Sequence, residues 1–515
     1  MNRINNSSRR ILVVAFLILT MVAASSSSAQ QTRLSVDYYW GQKFQTKRHP
    51  VVIPEHPFRP GLGATERLKH WNEIAIDASG LDHTPPQPGD TYLFGHQLGP
   101  GRSSRAMAIV HIAIFEALNA IEGKYESYLQ LQPTDKQASM ECAIAQAAHG
   151  TLCEMFPSQS PTFDQLLNED LNDVVNSESK SKGIEIGHAA ATAILAVRVN
   201  DGSQYSEPRI GIDWITSNDP GRWRQDPISL IPTALGAHWG EVTPFVLTSP
   251  TQFRTPPPPA LNSAAYTAAY NEAKAFGGDG IVTPTIRTDE QTTIGVFWAY
   301  DGTPSLCAPP RLYNQIAMRI ADNRNTHDVV ELARLLALVN VSMADAGIAI
   351  WESKYYYDFW RPITGIRESD PGTGPTGSGD GNDGTIGDTT YSPLGAPASN
   401  LNGPNFTPPF PSYPSGHAGF GGALFQTLRR FYGRDNIPFT FISDEFNGLT
   451  EDNNGSPRPV VERSFSSLSQ AEEENGQSRI YLGIHWRFDK TEGIRQGNQV
   501  ADYVFDHLFR RKHGR

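Results

Sequence analysis

The sequence predicts an all-α protein: two helical bundles of the four-helix type, connected by long loops and preceded by an irregular N-terminal arm. Three observations carry that prediction. Several long stretches repeat apolar residues at helical spacing, and no comparable set of alternating apolar and polar residues competes with them. The segments between are rich in breakers, with 45 Gly and 38 Pro among 515 residues. With hydrophobic residues at 39 % and charged residues at 19 %, the composition is that of a loop-rich globular chain and excludes a collagen, a coiled coil or a disordered tail.

Taken in order, the first element is an apolar run from Ile11 to Ala24, preceded by Arg3, Arg9 and Arg10 and followed by small residues up to Ala29. This pattern predicts a signal peptide over 1–29 and an exported, secreted or periplasmic protein, the alternative being an uncleaved membrane anchor. No internal stretch reads as a run of about 20 apolar residues, so no membrane span is expected. The formal net charge of -11 argues against nucleic acid as a partner. Residues 30–100 are punctuated by Pro54, Pro57, Pro60, Pro85, Pro86 and Pro88, which predicts an extended arm.

Helices are predicted at 104–120, 142–156, 163–176 and 183–199, forming a first bundle within 101–260. His111, in the first of these, reads as a satisfied core histidine. Pro256 to Pro259 mark the boundary, and a second bundle over 261–515 contains helices at 262–276, 310–321, 327–351 and 418–432. The Gly/Asp-rich stretch 369–389 misses the EF-hand spacing and predicts a flexible insertion, with a calcium loop as the alternative. Cys142, Cys153 and Cys307 build no disulfide framework: the first two are about three helical turns, or roughly 16 Å, apart. No Cys pair has zinc-site spacing, and neither His-Glu-x-x-His nor a phosphate-loop glycine pattern occurs.

Three segments of the second half concentrate groups suited to an anion. Lys354 and Arg361 lie two helical turns apart, so that on one helix both would point to the same side, with Pro362 ending the helix; a solvated surface pair is the plainer reading. Ser415 is a natural N-cap for the helix that follows. Its free N–H groups and dipole favour an anion, Gly416 permits close approach, and His417 is placed to exchange protons; a plain cap with an exposed histidine is the alternative. Arg479 adds a third permanent cation. Asp489, one helical turn after His485, either orients that imidazole or pairs with Arg487 or Lys490.

Lys354, Arg361-Pro362, Pro414-Ser415-Gly416-His417, Ser478-Arg479, His485 and Asp489, in this order, resemble the signature of the superfamily that joins vanadium-dependent haloperoxidases to acid phosphatases and membrane lipid phosphatases. The interval between His417 and Ser478 is longer than the phosphatase branch usually shows. Phe297-Trp298-Ala299-Tyr300-Asp301-Gly302, the stretch from Asp345 to Trp351, and Phe410 are similar to the chloroperoxidase-like branch. The resemblance implies two four-helix bundles and a vanadate cofactor. It implies that Lys354, Arg361, Ser415, Gly416 and Arg479 hold the vanadate oxygens and that His485 binds the metal. It makes His417 the acid-base histidine, Asp301 its partner, and Trp351 and Phe410 the wall of the halide pocket, for which core packing is the alternative. The implied activity is peroxidase-type: hydrogen peroxide oxidises halide to hypohalous acid, which halogenates a small organic acceptor. Phe410, where bromide-preferring relatives tend to carry His, leans toward chloride. The rival reading is an acid phosphatase in which His485 forms a phosphohistidine and His417 protonates the leaving group.

Overall fold

Apolar periodicity becomes helix along most of the chain. A computed structural model describes residues 35–46, 54–134 and 136–512, so the leader expected at 1–29 lies outside the described residues. Helices α1 (Val36–Tyr39), α2 (Ala64–Asp82), α3 (Gly99–Glu122), α4 (Met140–Met155), α5 (Ser160–Asp173) and α6 (Glu178–Arg198) make up the first half. After a long connection come α7 (Ala264–Gly277), α8 (Asp289–Phe297), α9 (Pro309–Asn323), α10 (Val329–Tyr357) and α11 (Pro362–Arg367). The chain ends with α12 (Gly416–Tyr432), α13 (Leu468–Tyr481) and α14 (Arg487–His507). Two antiparallel ribbons accompany them: β1 (Gln45–Thr46) with β2 (Leu401–Asn402), and β3 (Phe439–Asn447) with β4 (Val460–Phe465).

Polar residues set the helix starts. The side chains of Ser139, Ser177, Ser263, Asp328, Ser415 and Ser467 accept backbone N–H groups that have no partner inside the helix. Helices α3, α4 and α6 pack on one another, and α3 also lies along α10, so one apolar core runs through both halves of residues 34–515. α10 in turn contacts α12 and α14. The α12–α14 crossing is unusually close because glycines face it. A Cβ on Gly497 would lie 2.0 Å from the Gly419 carbonyl oxygen, and one on Gly493 would lie 2.6 Å from that of Ser415. This approach brings the start of α12 against the first turn of α14, where the Ser415 N–H donates to the Asp489 carbonyl at 2.9 Å.

Several expectations are corrected. The arm is not irregular throughout, because 64–82 form α2, whose polar residues are buried against partners distant in sequence: Arg67 pairs with Asp170, and Trp71 donates to Asp170 at 2.7 Å. α3 and α10 are each long and apolar enough to cross a membrane, contrary to the reading of the sequence. Their apolar windows are 100 % and 94 % buried within the protein, as core helices are. The 369–389 stretch is not a loose insertion. Tyr270 bonds Ser369 at 2.8 Å, and Asn382 donates to Leu261 and Thr267 of the α7 region. Two of its acids bond within their own loop: Asp380 accepts from Asn382 and Thr385, and Asp370 accepts from Gly387. His111 is buried but not satisfied. Neither ring nitrogen has a partner, and burial holds its pKa down at about 3.

Candidate active site

α10 does not carry both Lys354 and Arg361. It ends at Tyr357, with Asp358 in the left-handed conformation (φ 51°), and Arg361 is the extended residue that precedes α11. Pro362 therefore opens a short helix instead of closing a long one, since its fixed φ suits a first helical position. The two cations converge because the chain folds back. Lys354 Nζ donates to the carbonyls of Pro411 and Ser412 at 2.8 and 2.9 Å, and Arg361 Nε donates to that of Phe410 at 3.0 Å. The Phe410 ring lies under both, 5.1 Å from Lys354 Nζ and 4.9 Å from Arg361 Cζ.

His485 precedes α14, so His485 and Asp489 do not share a helical face. Asp489 instead reaches back from the first turn of α14, accepting from the Trp486 N–H at 3.1 Å and from His485 Nδ1 at 2.8 Å. The Arg361 guanidinium can only donate, and its Nη1 lies 3.0 Å from His485 Nε2. Nε2 is therefore the lone-pair nitrogen, turned toward the cations, and Nδ1 carries the proton. The alternative pairing of Asp489 with Arg487 or Lys490 is not found: Arg487 binds Glu272 and Lys490 binds Glu473.

His417, in the first turn of α12, lies with its Nε2 2.5 Å from the Ala299 carbonyl, an acceptor, so Nε2 carries the proton and Nδ1 is left for exchange. Its expected partner is displaced. Asp301 accepts from Arg479 Nη2 with both oxygens, at 2.7 and 2.9 Å, and is 4.0 Å from His417 Nε2. A permanent buried cation holds a carboxylate more strongly than a neutral imidazole does. Ser415 caps α12, and a Cβ on Gly416 would lie 3.2 Å from the Trp351 ring, so the glycine keeps the helix start open beside that wall. Trp351 packs at a tilt against Phe410, with ring centroids 4.9 Å apart, and donates to the Leu235 carbonyl at 3.1 Å. Gly236 (φ +76°) lies flat against its ring, and a Cβ there would be 2.3 Å from it.

Sequence reasoning missed Ser412, whose hydroxyl donates to Asp489, and the pair Tyr313 and Asn475, which both donate to the His417 carbonyl at 2.9 Å. Ser412 stands inside the Pro411-to-His417 segment and was within reach; Tyr313 and Asn475 carry no local signal. Gly416, His417, Arg479, His485, Trp351 and Phe410 share one cavity with Tyr300 and Asp301, with room for water-sized molecules of about 30 Å³.

The electrostatics are those of a site awaiting negative charge. Burial, then Arg361 and Arg479, push Lys354 well below the ordinary lysine range, and burial with Arg479 brings Arg361 down to about 9. Burial and the same cations hold His485 and His417 well below the usual imidazole value. Burial lifts Asp489 to about 7 against the hydrogen bonds that favour its anion, and raises Asp301 against the pull of Arg479. Arg361 Nη2 and Arg479 Nε and Nη1 are buried with no acceptor. Unpaired buried donors are costly, and a tetrahedral oxoanion is an acceptor set that satisfies them at once.

Comparison with known proteins agrees. Residues 334–514 match the family model described as the second helical-bundle domain of vanadium chloroperoxidase. Over 517 aligned residues, 85 % of this chain and 81 % of the other, the sequence is 32 % identical to the vanadium chloroperoxidase of Curvularia inaequalis. The chain belongs to the vanadium haloperoxidase family. It is thereby a peroxidase-type oxidoreductase with vanadate as its cofactor. The fold is shared with a bacterial vanadium-dependent iodoperoxidase (TM-score 0.68, 24 % identity, 91 % of this chain and 100 % of that one). It is shared also with a holo-type bacterial vanadium-dependent chloroperoxidase (TM-score 0.60, 19 % identity, 84 % and 97 %).

Proposed function

We propose that this haloperoxidase is exported and uses hydrogen peroxide to oxidise halide, with Lys354, Arg361, Ser415, Gly416 and Arg479 holding the oxygens of vanadate and His485 Nε2 bonding the metal. The observation that carries this reading is the set of three unpaired guanidinium nitrogens around the His485 Nε2 lone pair, which only the Arg361 Nη1 donor faces, at 3.0 Å. Vanadate in its highest oxidation state supplies a Lewis acid that makes bound peroxide electrophilic. Around it, Asp489 fixes the tautomer and direction of His485, and Ser412 fixes Asp489. His417, kept neutral by burial and by Arg479, takes a proton from entering peroxide at Nδ1 and returns it to the leaving oxygen. Asp301 spends its charge on Arg479 and so acts on His417 through the field of the cluster, not through a direct bond.

The balanced reaction is peroxide plus halide plus a proton, giving hypohalous acid and water. Apolar Trp351 and Phe410 wall the halide's approach, and the lysine beside them attracts it; we assign chloride-type chemistry from the Phe410 position and from the chloroperoxidase relative. Export is supported by the leader-like run Ile11 to Ala24.

The test is to add orthovanadate to purified apoprotein and measure monochlorodimedone halogenation with peroxide and chloride, bromide or iodide in turn, alongside hydrolysis of a phosphate ester. Vanadate-dependent halogenation that includes chloride is expected. Ester hydrolysis without halogenation would overturn the reading, and halogenation confined to iodide would overturn the halide assignment.

A further inference from the structure

Outside the vanadate site, one cluster of ligating side chains stands by itself on the first half of the molecule. α4 presents His149 and Cys153 one turn apart on the same face, and α5 folds back to place Asp164 against them. His149 Nε2 lies 2.7 Å from Asp164 Oδ1 and 3.5 Å from Cys153 Sγ, and all three ligand atoms fall within 4.8 Å of one another. The imidazole is 16 % exposed and Asp164 is 60 % exposed, so the cluster opens to solvent on the carboxylate side.

The connectivity decides between two chemistries. A nucleophile relay would place the acid on one imidazole nitrogen and the thiol on the other. Here both neighbours address the same atom, Nε2, while Nδ1 faces inward, buried and without a partner. Three donors that converge on one point are the arrangement a cation requires. In a tetrahedral zinc site, bonds of about 2.0–2.3 Å put neighbouring ligand atoms about 3.3–3.7 Å apart. The His149–Cys153 separation already has that value. The Asp164 oxygen must withdraw by about 0.6–1.0 Å to reach that range, which an exposed carboxylate does by side-chain rotation. Imidazole, thiolate and carboxylate together select a borderline d-block ion over magnesium or calcium.

We propose that His149, Cys153 and Asp164 form an open three-ligand site for a divalent cation of the zinc class, with water completing the coordination, clamping α4 to α5. On binding, the Cys153 thiol proton passes to solvent, and the imidazole proton, which Asp164 Oδ1 holds on Nε2 in the metal-free protein, moves to Nδ1 so that the Nε2 lone pair ligates. The site uses none of the groups assigned to vanadate.

The full-length protein, with its thiols reduced and stripped with a chelator, is dialysed against zinc and then against cobalt. Binding of about one zinc per chain and a near-ultraviolet thiolate-to-cobalt band are expected, with a melting temperature that rises with zinc concentration. Cys153→Ser removes the cobalt band and weakens zinc by about tenfold or more, and Asp164→Asn, at an exposed position that folding does not need, weakens it by about tenfold. No zinc at this stoichiometry, or equal affinity in wild type and both variants, overturns the proposal.

Discussion

Two buried arginine clusters in this molecule look alike until their hydrogen bonds are counted out. In the first half, Arg105 and Arg198 share Asp201, and the other nitrogens also have partners: Arg105 Nη1 the Met155 sulfur, Arg105 Nη2 the Arg198 carbonyl, and Arg198 Nη1 and Nη2 the carbonyls of Pro244 and Thr243. In the second half, Arg361 and Arg479 share their pocket with Lys354 yet leave three guanidinium nitrogens unpaired. The first cluster is closed by the protein and serves the fold. The second is left open, with donors to offer a ligand. Burying a charge is tolerable when it is paired, so several guanidinium donors left over beside a lysine are an arrangement suited to an anion.

Substitutions separate the two clusters. The largest effect is expected at His485: His485→Ala lowers vanadate affinity by about 100-fold or more and abolishes halogenation, while thermal unfolding of the apoprotein stays close to wild type, as orthovanadate titration and calorimetry would read. Full activity in that variant would contradict the assignment. Asp201→Ala is the mirror image. Losing the shared acid leaves two buried guanidinium groups uncompensated and destabilises the fold by about 3–5 kcal/mol in denaturant unfolding, without changing vanadate affinity of the folded protein. Lys354→Met removes a desolvated cation from a crowded positive site. The apoprotein gains about 1–3 kcal/mol of stability while vanadate binding weakens about tenfold or more, the trade expected where function keeps charge buried. Loss of stability together with unchanged vanadate affinity would place Lys354 in the closed class.

The smallest effect belongs to His111. Its folded pKa of about 3 lies below the unfolded value near 6.5, so the unfolded chain binds more protons as pH falls below 6.5, and the penalty persists down to about 3. His111→Leu should therefore gain about 1 kcal/mol relative to wild type on going from pH 7 to pH 5.5, read by denaturant unfolding at both pH values. A pH-independent difference would mean that His111 finds a partner in the folded protein.

How much of this was legible in the sequence follows the same division. Apolar helices such as α3, α10 and α12 announce themselves because every turn repeats an apolar face, and their ends fall within a few residues of the expected ones except where Asp358 turns left-handed and frees Arg361 from α10. α14 does not, because its buried residues include Gly493 and Gly497, which permit close approach to α12, and Gln496, which donates to Ala349 and Ser353 of α10, none of them apolar side chains. The β3–β4 ribbon escaped for a related reason: Phe439, Phe441, Ser443 and Glu445 alternate inward, but only the first two are apolar, and Glu445 is buried on the strength of Arg458 and Ser399. At the site, the residues proposed to hold vanadate were readable from their local pattern. Their partnerships were not, since the pairing of Asp301 with Arg479 and of Ser412 with Asp489 depends on which distant elements the fold brings together.

The central claim is that the donors left open around His485 enclose one tetrahedral oxoanion. A crystal structure of the orthovanadate-soaked protein, with anomalous data collected at the vanadium edge, tests it most directly. The account predicts one vanadium peak at bonding distance from His485 Nε2, with Lys354, Arg361 and Arg479 on its oxygens. A vanadium peak elsewhere, or none at saturating vanadate, would contradict it.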